Sequence, residues 1–194
     1  MNPIERTSTS RAWQAAIACL WGFGVACEGL AAVEFAIMAP VMITLYFGVT
    51  ELADGFTAST KVTSVASTAG DLLAQEKSVC DAEMNDVFTA LRSLMYPYPL
   101  NQMRIVVSSI VDIGGGVIQV AWSDASNTSP RAVGSAVSVP AGLVAANGSV
   151  VLAEVVYNYS SPAGHLIIGS IPLTDKFYLH PRRIAKIARS VNNC

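Results

Sequence analysis

The sequence predicts an α+β fold attached to a membrane, and three observations carry that prediction. Leu30 to Thr50 is almost unbroken in its apolar character, helical signals continue beyond it to Met95, and after Pro99 the pattern changes to branched and aromatic runs. Helices followed by strands that hairpins can join imply helices packed on an antiparallel sheet. The expected architecture is an N-terminal hydrophobic transmembrane helix that extends outward as an α-helix, followed by a small antiparallel-sheet domain. The expected divisions are a leader over residues 1–29, the transmembrane helix and its extension over 30–76, and an extracytoplasmic α+β domain over 77–194.

Residues 1–29 carry Arg6 and Arg11 and then an apolar run, Ala12 to Cys27, interrupted only by Gln14. A basic stretch before an apolar one is the pattern of a secretory signal peptide. A second apolar segment begins after only Glu28 and Gly29, too soon for a helical hairpin. The first is either a leader that is removed or a segment lying at the cytoplasmic interface. At ~1.5 Å per residue a helix over Leu30 to Thr50 is about 31 Å long, the hydrocarbon thickness of a bilayer. Glu34 is the one acid within it. A carboxylate costs about 2.5–3.5 kcal/mol at the centre of a membrane helix and less near its end, so Glu34 calls for a partner. Both arginines precede the segments, and Glu51 and Asp54 follow them. The positive-inside rule then puts the N-terminus in the cytoplasm and residues 51–194 outside.

From Glu51 to Gln75, Leu52, Phe56, Val62, Val65, Ala66, Ala69, Leu72 and Leu73 approximate the 3.6-residue period of a helix with one buried stripe. Gly55 and Gly70 count against that helix, and the absence of proline counts for it. A second helix is expected over Asp81 to Met95. Asp81, Glu83 and Asp86 suit its N-terminal dipole, Val87, Leu91, Leu94 and Met95 form its stripe, and Pro97 and Pro99 end it. Arg104 to Ile113, Val117 to Ser123 and Val150 to Tyr159 read as strands, the first two joined by a Gly114-Gly115-Gly116 hairpin. Ser123 to Gly148 reads as a long surface loop with one short strand near Ala136 to Val139. Phe177 to Val191, basic through Arg182, Arg183, Lys186 and Arg189, is expected to be a last strand or a short helix.

Apolar residues make up 52% of the chain and charged residues 13%, half the usual share, which favours membrane attachment. A net charge of −2 gives no basic field for nucleic acid. Cys19, Cys27, Cys80 and Cys194 fit no zinc or iron–sulfur spacing, so no metal or cofactor is expected. Cys80 and Cys194 alone follow the membrane segment. Together in an oxidising compartment they can form a disulfide, the alternative being two unrelated buried thiols. No nucleophile elbow, zinc-protease, P-loop or dinucleotide motif is present, so no catalytic activity is expected. His165 and His180 read as surface residues. Asn127, Asn147 and Asn158 open Asn-x-Ser/Thr triplets, which a Ser/Thr-rich chain produces by chance. The basic C-terminal cluster reads either as a contact for lipid headgroups or an acidic partner, or as a charged, solvated strand edge.

The block Gly29-Leu30-Ala31-Ala32-Val33-Glu34-Phe35-Ala36, followed by Pro40, Phe47-Gly48 and the acidic Glu51, resembles the TadE-like minor pseudopilins of tight-adherence (Flp-type) pilus systems. Pro181-Arg182-Arg183 and the terminal Cys194 look like that group's usual ending. The resemblance implies a membrane-anchored, pilin-like assembly protein rather than an enzyme. It implies a single pass through the bacterial inner membrane, with residues 51–194 in the periplasm. A prepilin peptidase would cut after Gly29, making Leu30 the new N-terminus and Glu34 the fifth residue. Glu34, Phe35 and Pro40 would serve assembly with other pilins or pseudopilins and inner-membrane assembly proteins. One alternative is an uncleaved bitopic envelope protein whose outer domain is a binding module. A third reading is an anchored hydrolase with a site near His165 or His180.

Overall fold

The computed structural model describes residues 28–161 and 170–191. The apolar run 12–27, His165 and Cys194 lie outside the described residues. The chain divides into two compact units, residues 1–48 and 49–194. Helix α1 is Glu28–Ala74, and its residues from Val49 onward belong to the second unit. Antiparallel-sheet strands follow the helices, as the α+β expectation requires.

In the second unit the remaining elements are β1 (Ser78–Val79), α2 (Asp81–Leu94), a 3-10 turn (Leu100–Gln102), β2 (Met103–Asp112), β3 (Ile118–Ser126), β4 (Ser149–Tyr159), β5 (Ile171–Leu179) and β6 (Ala188–Arg189). The main sheet has four antiparallel strands in the order β3-β2-β4-β5, and β1 pairs separately with β6 in parallel.

One face of the sheet carries the core. Ala58, Val62, Val65, Ala66, Ala69 and Leu73 form the buried stripe of α1 at helical spacing. Leu52 and Phe56, expected on that stripe, are 62% and 74% exposed because they point around the helix from Ala58. Gly55 and Gly70 do not break α1. A β-carbon added at either would lie 3.6 Å from a ring, Tyr159 for Gly55 and Phe177 for Gly70. The hydroxyls of Thr57, Thr60 and Ser64 donate to carbonyls one turn earlier, at 2.8 to 2.9 Å, so the Ser/Thr-rich stretch satisfies itself within the helix.

Helix α2 starts as its acids predict. Glu83 Oε2 accepts from the Cys80 N–H at 3.0 Å, and Asp81 and Glu83 sit in the first turn. Met84, Phe88 and Leu91 are its buried residues. Beyond it, Tyr98 donates its phenol proton to Asp54 O at 3.0 Å and meets the Tyr157 and Tyr159 rings edge-on at 6.2 and 6.3 Å. Burial, and next the Asp54 charge, raise the Tyr98 and Tyr159 phenols above their ordinary pKa.

The glycine triplet closes the β2–β3 hairpin with all three residues at positive φ, between 68 and 109°, where a side chain would be strained. The register slips between Ser109 and Ile110, opposite Val120 and Trp122. Past this bulge Trp122 reaches the helix side and donates Nε1–H to Ile187 O at 2.8 Å. Residues 127–148 lie along the other face and edge of the sheet, as a long loop with a single bridge, Gln119 to Ala136. Its anchors are numerous. Arg131 donates to Glu154 Oε2 through Nε and Nη2 at 2.8 and 2.6 Å, Gly134 N–H reaches Val120 O at 2.8 Å, and Asn147 N–H reaches Asp112 Oδ2 at 3.2 Å.

The end of the chain differs from expectation. The last long strand is β5, Ile171–Leu179, overlapping the expected segment only at Phe177 to Leu179. Of the remainder only Ala188–Arg189 is strand. The basic residues instead hold helix ends. Arg182 N–H caps Ala74 O at 2.8 Å while its guanidinium pairs with Asp71. Arg189 pairs with Asp81 and with Asp124, whose hydrogen bonds raise its pKa further, so it stays charged.

Two stability predictions follow from this packing. Leu91 is fully buried, so Leu91→Ala should cost about 2–5 kcal/mol in denaturant unfolding of the second unit. A loss below about 1 kcal/mol would mean that α2 is not anchored through Leu91. Glu154 is paired with Arg131 and, at 2.9 Å, with Lys176 on β5. Burial alone would raise its pKa, but the two cations outweigh burial and hold it below its ordinary 4.5. The resulting stability is therefore present above about pH 4.5 and fades as pH falls through the folded-state value. Since both cations are partly exposed and screened, Glu154→Gln should cost about 1 kcal/mol at neutral pH and flatten the acid limb of the stability curve. An unchanged acid limb would assign that pH dependence to other carboxylates.

Candidate membrane and assembly segment

Among the described residues of the first unit, α1 has no core. Leu30, Val33, Phe35, Ile37, Met38, Val41 and Tyr46 are all more than half exposed. Among the described residues this is the one helix long and apolar enough to cross a membrane, and its most apolar window is 0% buried. An apolar surface of this extent bars the segment from water. The Tyr46 and Phe47 rings meet edge-on at 5.7 Å, placing an aromatic pair near the C-terminal end of the apolar run.

The residues singled out in the sequence fall on this bare stretch. Gly29 is exposed, with nothing within 4 Å of an added β-carbon. Leu30 and Phe35 are 65% and 72% exposed. Glu34, one helical turn beyond Leu30, is exposed and makes no hydrogen bond or ion pair among the described residues. Pro40 lies inside the helix, where its missing N–H leaves the Ala36 carbonyl without its usual donor. Thr44 Oγ1 donates to Pro40 O at 2.8 Å, so the threonine is satisfied internally. These residues occupy one helix and are not gathered into a cavity.

Glu51, the acid after the apolar run, belongs to the second unit. It is 3% exposed and its Oε1 has no hydrogen-bond partner. The sequence placed it simply as a flanking charge, and nothing in the local pattern marks its burial. Cys80 is 3% exposed at the start of α2. His180 is exposed, with Nε2 2.8 Å from Leu143 O, the distance for donation in one tautomer. Among the described residues no group of three or more His, Cys, Asp or Glu could hold a metal ion.

The model of the family described as TadE-like protein matches residues 29–71. That span starts at Gly29, takes in Glu34 and Pro40, and continues through most of the buried stripe of α1. Neither the curated proteins nor the solved structures contain a match. Residues 29–71 are thus TadE-like, consistent with a pilus-associated protein of the tight-adherence type that is attached to the cell envelope by α1.

Proposed function

We propose that the chain is a membrane-anchored minor pseudopilin or assembly protein of a tight-adherence pilus, acting by helix packing and subunit contacts and not by catalysis. The observation that carries this reading is an exposed acid, Glu34, on a bare apolar helix within the TadE-like span. Prepilin peptidase cleaves after Gly29, where the lack of a side chain admits close backbone approach. Leu30 then carries a new α-amino group. In low dielectric that group on a neighbouring subunit neutralises Glu34 and sets the axial register between helices. Phe35 and the loosened turn at Pro40 belong to the same helix-to-helix contact. The chain crosses the inner membrane once, with residues 51–194 in the periplasm, and its partners are other pilins or pseudopilins and inner-membrane assembly proteins.

Membrane-extracted protein from cells with active prepilin peptidase should have Leu30 as its N-terminal residue. Glu34→Ala should stay membrane-inserted yet lose cross-linking to neighbouring subunits by an order of magnitude or more. A chain that still begins at Met1 in such cells would sink the pseudopilin reading and leave the bitopic binding protein.

We also propose the Cys80–Cys194 disulfide. Val79 pairs with Arg189, and Ser190 N–H reaches Val79 O at 3.0 Å, so the chain returns beside Cys80 shortly before its end. A cross-link closing a loop of about a hundred residues contributes about 4–5 kcal/mol in the chain-entropy model. Non-reducing electrophoresis should show a faster-migrating band that Cys194→Ser abolishes. Equal mobility with both thiols alkylatable would count against the bond.

A further inference from the structure

The edge strand β3 is treated differently along its two halves. At its start the protein's own loop covers the edge: Val120 exchanges backbone bonds with Gly134 and Ser135 at 2.8 and 3.0 Å. At its end Asp124, Ala125 and Ser126 pair with β2 on one side and make no further backbone bond among the described residues. An edge left open in this way is a template for another strand.

Helix α2 stands beside that open half and leaves a cleft of about 530 Å³. Met84 and Phe88 line it on the helix side, giving an apolar floor. At one end Arg189 is consumed by Asp81 and Asp124. At the other end Arg92 has no carboxylate partner. Its Nη2 donates to Ser126 Oγ at 2.6 Å, whereas its Nε is buried and has no acceptor. Its Nη2 also lies 3.5 Å from Asn127 Oδ1, so no carboxylate among the described residues offsets the guanidinium charge, and a carboxylate is the group that pairs with it best. From Asp81 to Arg92 the helix rises about 16 Å, the length of about five residues of extended chain.

We propose that the cleft between α2 and the open edge of β3 binds an extended segment of another protein, which adds to the sheet beside Asp124 to Ser126 and seats a Glu or Asp side chain on Arg92. Main-chain bonding to the edge supplies affinity, and the single unneutralised guanidinium supplies selectivity for an acid. This site does not depend on the pseudopilin reading, because it uses only residues of the second unit.

The test uses the full chain in detergent and fluorescein-labelled heptapeptides of alternating Thr and Val with blocked termini and a central Glu, Gln or Lys. By fluorescence anisotropy the Glu peptide should bind saturably and at least tenfold more tightly than the Gln peptide, with the Lys peptide weakest. Arg92→Gln should erase the difference between Glu and Gln. Thr89 is exposed on α2 and lines the cleft, so Thr89→Trp fills it without touching the core and should weaken the Glu and Gln peptides alike. If Arg92→Gln fails to fold by circular dichroism, Thr89→Trp carries the test alone. Hydrogen exchange at Asp124 to Ser126 should slow when the Glu peptide is bound. No saturable binding, binding indifferent to the central charge, or protection at β5 instead of β3 would each overturn the proposal.

Discussion

The second unit depends on how closely α1 approaches the sheet. Ala58, Ala66 and Ala69 are fully buried, and Gly55 and Gly70 face aromatic rings at van der Waals distance. Small residues on the helix leave room for large ones on the strands, where Tyr157 and Tyr159 are among the largest fully buried side chains. An alanine could occupy Gly55 or Gly70 at contact distance, whereas a longer side chain would meet the ring and push the sheet away. The glycines that weaken α1 by intrinsic propensity are tolerated because the helix is held by its packing on the sheet, which is how tertiary context overrides a local preference. The aromatic side of the contact then recruits the segment after α2, since Tyr98 stacks against both tyrosines and bonds to the Asp54 carbonyl.

Legibility varied with the origin of each signal. The bounds of helix α2 were readable to within a residue because its acids and the prolines after it are local, but its buried stripe runs through Met84, Phe88 and Leu91, with Val87 half-buried and Leu94 39% exposed. The β2–β3 hairpin was readable because three consecutive glycines in positive φ leave few alternatives. Strand β5 was missed for a physical reason. Pro172, Asp175 and Lys176 interrupt its pattern, because it sits at an edge and turns only Leu173 and Phe177 partly into the core. The basic stretch after it was misread because residues that cap helix ends carry no periodicity of their own. Glu34 and Pro40 stood out because an acid and a proline interrupt an apolar run. The Arg92 cleft could not be seen, since Arg92 and Ser126 are separated by 34 residues and meet only when α2 lies along β3.

One helix thus obeys two sets of rules. Up to Gly48 the apolar side chains of α1 have no neighbours among the described residues to bury them, and the helix satisfies its backbone internally, as hydrocarbon requires. From Ala58 onward the same helix shows an ordinary buried stripe, with hydroxyls bonded back to carbonyls on its open side. The TadE-like match runs across both regimes, from Gly29 to Asp71, so the family signal describes the whole helix and not the membrane segment alone.

The C-terminal segment spends two of the second unit's cations on structure. Arg182 and Arg189 are held by Asp71, Asp81 and Asp124, and the Arg182 backbone closes the end of α1. A cation with two carboxylate partners has little free charge to offer an anionic surface. Held in this way, residues 182–190 tie the end of α1, the start of α2 and the end of β3 together. This stretch therefore acts as a strap across elements far apart in sequence. Removing it would release α1 and α2 together, since both helix ends depend on the same few residues.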